Sequence, residues 1–153
     1  MAYAEGTSVT PARSQEEIQR ALKRYGASGF AYGWEGNQAM VGFVVDARQV
    51  RFYLPLPDEE DFVTTVRGRS RTAAAAASAH EQEIRRRWRA LALAIKAKLE
   101  AVETGITTFD EEFLAHIVLP DGSQVGPRVI AELDEAWRRG VVAPRMLALE
   151  GPS

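Results

Sequence analysis

The sequence predicts an α+β fold: a three-stranded antiparallel meander preceded by a short helix and followed by a long basic amphipathic helix and C-terminal helices. Three observations carry this. A helical apolar spacing at Ile18, Ala21, Leu22 and Tyr25 changes to strand alternation from Phe30 onward. Two short turns then separate three apolar runs within 30–54, which is meander spacing. A helical stripe of threes and fours, Ile84, Trp88, Leu91, Ile95, Leu99 and Val102, follows.

Residues 1–13 are small and polar and read as a disordered arm. Ser14 with Glu17 matches a capping box that opens the first helix, and Gly26 stands where a left-handed C-terminal residue belongs. The first strand carries Phe30, Tyr32 and Trp34 alternating with Ala31 and Gly33. Glu35 to Gln38 is a tight turn, Ala39 to Val45 the second strand, Asp46 to Gln49 a second turn and Val50 to Leu54 the third strand. Pro55 and Pro57 stop it, because proline donates nothing to a ladder. Period-2 alternation places Val50, Phe52 and Leu54 in the core and turns Arg51 and Tyr53 outward.

Residues 63–79 are expected to be a flexible basic loop carrying Arg67, Arg69 and Arg71. Within it Ala73 to Ala77 has high helix propensity but no amphipathic pattern, so it is either the leading end of the long helix or a loosely ordered arm. The long helix runs from about Glu81 to Thr104, and Gly105 ends it. Thr108 with Glu111 opens a short helix through Phe113, Leu114 and Ile117. Pro120-Asp121-Gly122 is a turn, flanked either by a helix end or by a small hairpin of 116–119 with 123–125. A last helix begins at Gly126-Pro127, with Val129, Ile130, Leu133, Ala136 and Trp137 as its apolar face. Together 14–140 read as a single domain, with 141–153 an irregular tail.

The chain has 153 residues, a formal charge of -2 and no cysteine. Disulfides, thiolate metal sites and cysteine nucleophiles are therefore excluded. A cysteine-free chain whose first residues lack the apolar core of a signal peptide is expected in the cytoplasm. No run approaches the roughly 20 apolar residues that span a bilayer. His80 and His116, the two histidines, lie far apart with no metal-ligand spacing. Asp110, Glu111 and Glu112 are better explained as first-turn carboxylates complementing a helix dipole than as cation ligands. The glycines at 26, 29, 33 and 36 lack the Lys-Ser/Thr pair of a phosphate loop. No metal, cofactor, small-molecule substrate or catalytic activity is expected.

The functional pointer is charge placement. A chain of net negative charge gathers Arg67, Arg69, Arg71, Arg85, Arg86, Arg87, Arg89, Lys96 and Lys98 between Val63 and Lys98, which favours a polyanion partner. At 100° per residue Arg85, Arg89 and Lys96 share one flank of the long helix, beside its apolar seam. The opposing explanation is a solvated helix face, paired with Glu81, Glu100 and Glu103. Arg51 beside Tyr53 on an outward strand face adds a candidate base and phosphate contact. The candidate nucleic-acid site is thus Arg51, Tyr53, Arg67, Arg69, Arg71, Arg85, Arg89 and Lys96. A second, small-residue strip, Ala90, Ala94, Ala97 and Ala101 with Leu93, is the expected interface of a homo-oligomer.

Residues 90–122, with Arg24 to Trp34 upstream, resemble a family of small phage and prophage proteins of actinobacteria and other GC-rich bacteria. That family brings no assigned activity. The order helix, three-strand meander and long basic helix is similar in topology to the core of single-strand annealing proteins of phage recombination. Gly29-Phe-Ala-Tyr-Gly-Trp34 resembles their aromatic and glycine first strand. This second resemblance implies a ring or filament holding single-stranded DNA in a basic groove. The leading expectation is non-catalytic single-stranded nucleic-acid binding, extending to annealing, in phage DNA metabolism. The alternative is a protein-interaction module, such as a phage inhibitor of a host defence system or a virion assembly factor.

Overall fold

A computed structural model describes residues 6–140. Helix α1 spans Pro11–Tyr25, strands β1 to β3 span Gly29–Glu35, Gln38–Val45 and Arg48–Pro55, and a 3-10 turn spans Glu59–Phe62. Helix α2 spans Ala73–Glu103, α3 spans Phe109–Phe113, a second 3-10 turn spans Leu114–His116, and α4 spans Val125–Arg139. The fold is α+β, with a helix before the sheet and a long helix and C-terminal helices after it.

The strands pair antiparallel in the order β1-β2-β3. The register aligns Phe30 with Phe43 and Val50, Tyr32 with Val41 and Phe52, and Trp34 with Ala39 and Leu54, all on the helix-covered face. The other face carries Ala31, Gly42 and Arg51 in one row and Gly33, Met40 and Tyr53 in the next. Tight turns make this register possible. Gly36 has φ 58°, the left-handed conformation that a two-residue hairpin needs at its first position. Asp46, at φ 51°, occupies the same position in the second hairpin, where a short polar side chain is tolerated. Val50 and Phe52 are buried and Tyr53 exposed, as the alternation requires, whereas Leu54 and Arg51, expected buried and exposed, are both half-buried.

The core lies between the sheet and the two long helices. Ile18, Ala21 and Leu22 of α1 and Trp88, Leu91, Ile95 and Leu99 of α2 bury against Val41, Phe43, Val50 and Phe52. Phe113 of α3 closes one end, its ring edge-on to Phe43 at 5.7 Å and to Phe52 at 6.2 Å between centroids.

Three boundaries differ from the sequence expectation. Helix α1 begins at Pro11, with Thr10 capping the Arg13 N–H, so residues 11–13 are not part of an arm. Ser14 is not a cap. It is fully buried one turn inside the helix, four residues before Ile18 on the same face. Residues 63–79 are not one loop. Residues 63–71 form a small hairpin, with a Thr64–Ser70 bridge, the Thr65 N–H donating to the Arg69 carbonyl at 2.7 Å, and Gly68 at φ 81°. Thr72 then caps Ala75, and Ala73 to Ala77 is the leading end of α2. At the other junction Val118 bridges Gln124, so the Asp121-Gly122 turn belongs to a hairpin, and Ile117 bridges Val50 to extend the β3 edge. The expected tail, 141–153, lies outside the described residues.

Candidate nucleic-acid interface

The α1–α2 seam begins with charge. Glu17 projects from α1 between Arg89 and Lys96 of α2, bonded to the first and 3.9 Å from the second. The three side chains sit on the flank that helical phase assigns to them. Arg13, Arg20 and Arg24 follow Glu17's face of α1 at four- and three-residue spacing. Arg20 pairs with Glu16 at 2.6 Å. Glu100 and Glu103 join Lys96 and Arg24 around a shallow depression near the far end. With Glu81 one turn before Arg85 on the same flank, the seam sets six cations against five carboxylates.

Arg85 is the exception within the seam. Its Nη2 donates to the Gln82 side-chain oxygen at 2.6 Å, a neutral partner. Its Nε is buried without a hydrogen-bond partner, and among the described residues no carboxylate pairs with it. A buried N–H left unsatisfied is costly, more so on a charged group. Arg85 lies one turn before Trp88, whose indole meets the Tyr32 ring edge-on at 6.4 Å. Trp34 follows two residues along β1 on the same face. There the helix cover runs out: Tyr32 is 51% and Trp34 79% exposed. A guanidinium without a carboxylate partner and two open aromatic rings therefore occur on the helix-covered side of the sheet.

The other candidate residues separate into groups. Arg51 and Tyr53 lie on the opposite face of the sheet, joined by an Arg51 Nη1 to Tyr53 hydroxyl bond of 3.3 Å. One strand of nucleic acid does not touch both faces of a sheet at once. Arg71 is half-buried and donates to the Phe62 carbonyl at 3.0 Å, which fixes the hairpin to the 3-10 turn. Arg67 and Arg69 are exposed at the hairpin tip. The remaining helix cations are committed. Arg86 and Arg87 share Glu83, at 2.6 and 3.0 Å, and the Arg86 hydrogen bonds foremost hold that carboxyl below its ordinary pKa. Lys98 takes Glu112 at 3.2 Å. Ala90, Ala94 and Ala97 are exposed, and Leu93 and Ala101 half-buried.

Sequence reading alone missed the α1 half of the seam. Its signal was present as Arg13, Arg20 and Arg24 in register with Glu17, but those residues were scattered among acids outside the basic run. For Tyr32 and Trp34 the sequence gives strand alternation alone, because period 2 assigns a face and does not say where the cover ends.

A cavity of about 860 Å³ opens beside the Arg48–Asp110 pair, which is bidentate at 2.9 and 3.0 Å. That pairing holds the Asp110 carboxyl low. Among the described residues no group of three His, Asp or Glu side chains is placed to hold a metal ion, and no helix is long and apolar enough to cross a membrane. Comparison of the chain with protein families, curated proteins and solved structures finds no match.

Proposed function

We propose that this protein binds single-stranded nucleic acid without catalysis, along the α1–α2 seam and the open edge of β1. The observation that carries the reading is Arg85, a guanidinium with no carboxylate partner among the described residues, one turn before Trp88, whose indole meets the exposed ring of Tyr32. A phosphate oxygen accepts from such a group, and an arginine fork suits it geometrically. Exposed aromatic rings stack bases irrespective of sequence. The seam's positive excess, and Arg67 and Arg69 on their hairpin, supply encounter charge. Arg89 and Lys96 are shared with Glu17, so each contributes less than its full charge. The similarity of the helix, meander and long-helix order to annealing proteins supports annealing of complementary strands as the activity, in phage DNA metabolism.

The test is a salt titration of binding to an unstructured oligonucleotide, read by Trp34 fluorescence and by anisotropy of labelled DNA. Affinity should fall with a log–log slope of about -0.7 per phosphate contacted. Changing Arg85, Arg89 and Lys96 together to Ala should weaken binding and flatten the slope by about two units. Trp34→Ala should cost about 1–3 kcal/mol of binding with an unchanged slope, because it removes stacking and no charge. Absence of binding to single strands at low salt sinks the proposal. Annealing is tested separately, by the rate at which complementary strands pair in the presence of the protein.

A second reading, a protein-interaction module acting on a host defence or in virion assembly, is favoured by the apolar face that α4 presents to solvent.

A further inference from the structure

Among the described residues two surfaces have no cover. The first belongs to α4. Val129, Ile130, Leu133 and Trp137 form one stripe at three- and four-residue spacing, and Leu133 is 52% and Trp137 62% exposed. Nothing in solvent rewards such a stripe, and its burial would be favourable in proportion to the apolar area covered. The second is the outer face of the sheet. Its floor is Gly33, Gly42 and Ala31, bordered by Met40, Val44, Arg51 and Tyr53, around a depression of about 380 Å³.

The chain cannot bring these two together by itself in the conformation it holds. The start of α4 is pinned. A Cβ on Gly126 would lie 2.8 Å from the Ala115 carbonyl oxygen, so the helix backbone sits directly on the 114–116 turn. The Gln124 side chain donates to the Arg51 carbonyl at 2.5 Å, and Arg128 pairs with Asp121. From that anchor the stripe faces away from its own molecule.

We infer that α4 of one copy packs on the open sheet face of a second copy, and reciprocally, in a two-fold dimer. Size is the first argument. A 15-residue helix is about 22 Å long and about 10 Å wide. Strands of seven and eight residues are about 25 Å long, and three of them span about 10 Å between outer axes. The face therefore holds one helix of this length and no more. Shape is the second. A glycine and alanine floor lets a helix carrying Leu133 and Trp137 approach closely. Charge is the third. Glu132 and Asp134 flank the stripe, each about 100° round from its centre at 100° per residue. Neither has an ion pair among the described residues, and Arg51 on the facing surface has no carboxylate either. Two-fold exchange satisfies both surfaces of both copies, so the contact closes and does not propagate. The self-contact thus lies on α4 and the outer sheet face and leaves the alanine strip of α2 open. It is independent of the nucleic-acid reading, since Arg85, Tyr32 and Trp34 are on the other side of the sheet.

The experiment is sedimentation of the full chain from low micromolar to near-millimolar concentration, with two variants. Leu133→Glu with Trp137→Glu spoils the helix and leaves the face. Ala31→Glu with Gly42→Glu spoils the face and leaves the helix. The expected result is a wild-type dimer whose dissociation constant each variant raises by about tenfold or more. An equimolar mixture of the two variants retains one intact helix–face contact, so it should form a heterodimer more tightly than either variant alone self-associates. Loss of dimer with the helix variant but not the face variant would mean α4 pairs with α4 and would overturn the proposal. A wild type that stays monomeric throughout would overturn it too, leaving α4 to a foreign protein. If the glutamates disrupt folding, the absence of cysteine allows a cleaner version. Chains carrying Ala136→Cys and Ala31→Cys should form a mixed disulfide on oxidation, whereas α4-to-α4 packing would cross-link Ala136→Cys chains to one another.

Discussion

His116 lies flat on Phe52, with ring centroids 4.0 Å apart, in the turn that carries α4. Burial, with Lys98 nearby, holds its pKa below the ordinary 6.5. The folded protein therefore binds this proton less readily than the unfolded chain does. Stability from the neutral ring is complete above the unfolded value and is lost as pH falls from about 6.5 towards the depressed folded value. Thermal unfolding should show a loss of midpoint on going from pH 7.5 to 5.5, and His116→Phe should flatten that part of the profile while keeping the stack. The carboxylates held low, Glu83, Asp110 and Asp121, titrate in a separate acid range, where protonation removes their hydrogen bonds from Arg86, Arg48 and Ser123. A variant with the wild-type slope between pH 7.5 and 5.5 would assign that slope to another group.

At the scale of elements, alternation and turn chemistry made the meander legible, down to which side of β3 is buried. Caps were less legible, because two of them competed. Thr10 with Pro11 and Ser14 with Glu17 are both good helix starts. Tertiary packing chose the earlier one: it adds a turn that buries Ser14 in line with Ile18, and it frees Glu17 for Arg89. The two serine and threonine positions should respond differently to alanine. Thr10→Ala removes the cap on the Arg13 N–H and should cost about 1 kcal/mol. Ser14→Ala removes a buried hydroxyl with no partner and should be neutral or stabilising. Urea midpoints of the two variants decide this, and the reverse order would restore the later cap. The hairpin at 63–71 was illegible for a different reason. Its bridge joins Thr64 to Ser70, polar residues without an apolar face, and only Gly68 marks the turn. The stripe of α4 was visible from spacing, but spacing says that a face is apolar and is silent on what covers it.

For the whole molecule, five cations of the basic run, Arg86, Arg87, Arg89, Lys96 and Lys98, share three carboxylates, and the remaining positive field is carried by the α1–α2 seam and the 63–71 hairpin. Glu17 is the control point of that field. It sits about one-quarter exposed between Arg89 and Lys96 and is the carboxylate through which both are restrained. Glu17→Gln keeps the shape and removes the charge, so its two consequences have opposite signs. Folding should weaken by about 1.5–3 kcal/mol, the range for a hydrogen bond to a charged group, because the Arg89 guanidinium loses its carboxylate in a partly buried seam. Nucleic-acid binding should strengthen, because the seam gains one unit of positive charge and Arg89 and Lys96 become available to phosphate. Each new phosphate contact adds about -0.7 to the log–log salt slope, so the variant should bind tighter at low salt and lose that advantage as salt rises. Chemical denaturation and the salt titration read the two effects independently. A variant that is less stable and also binds more weakly would show that Glu17 orders the interface, and that the charges of Arg89 and Lys96 are not what meets the phosphates.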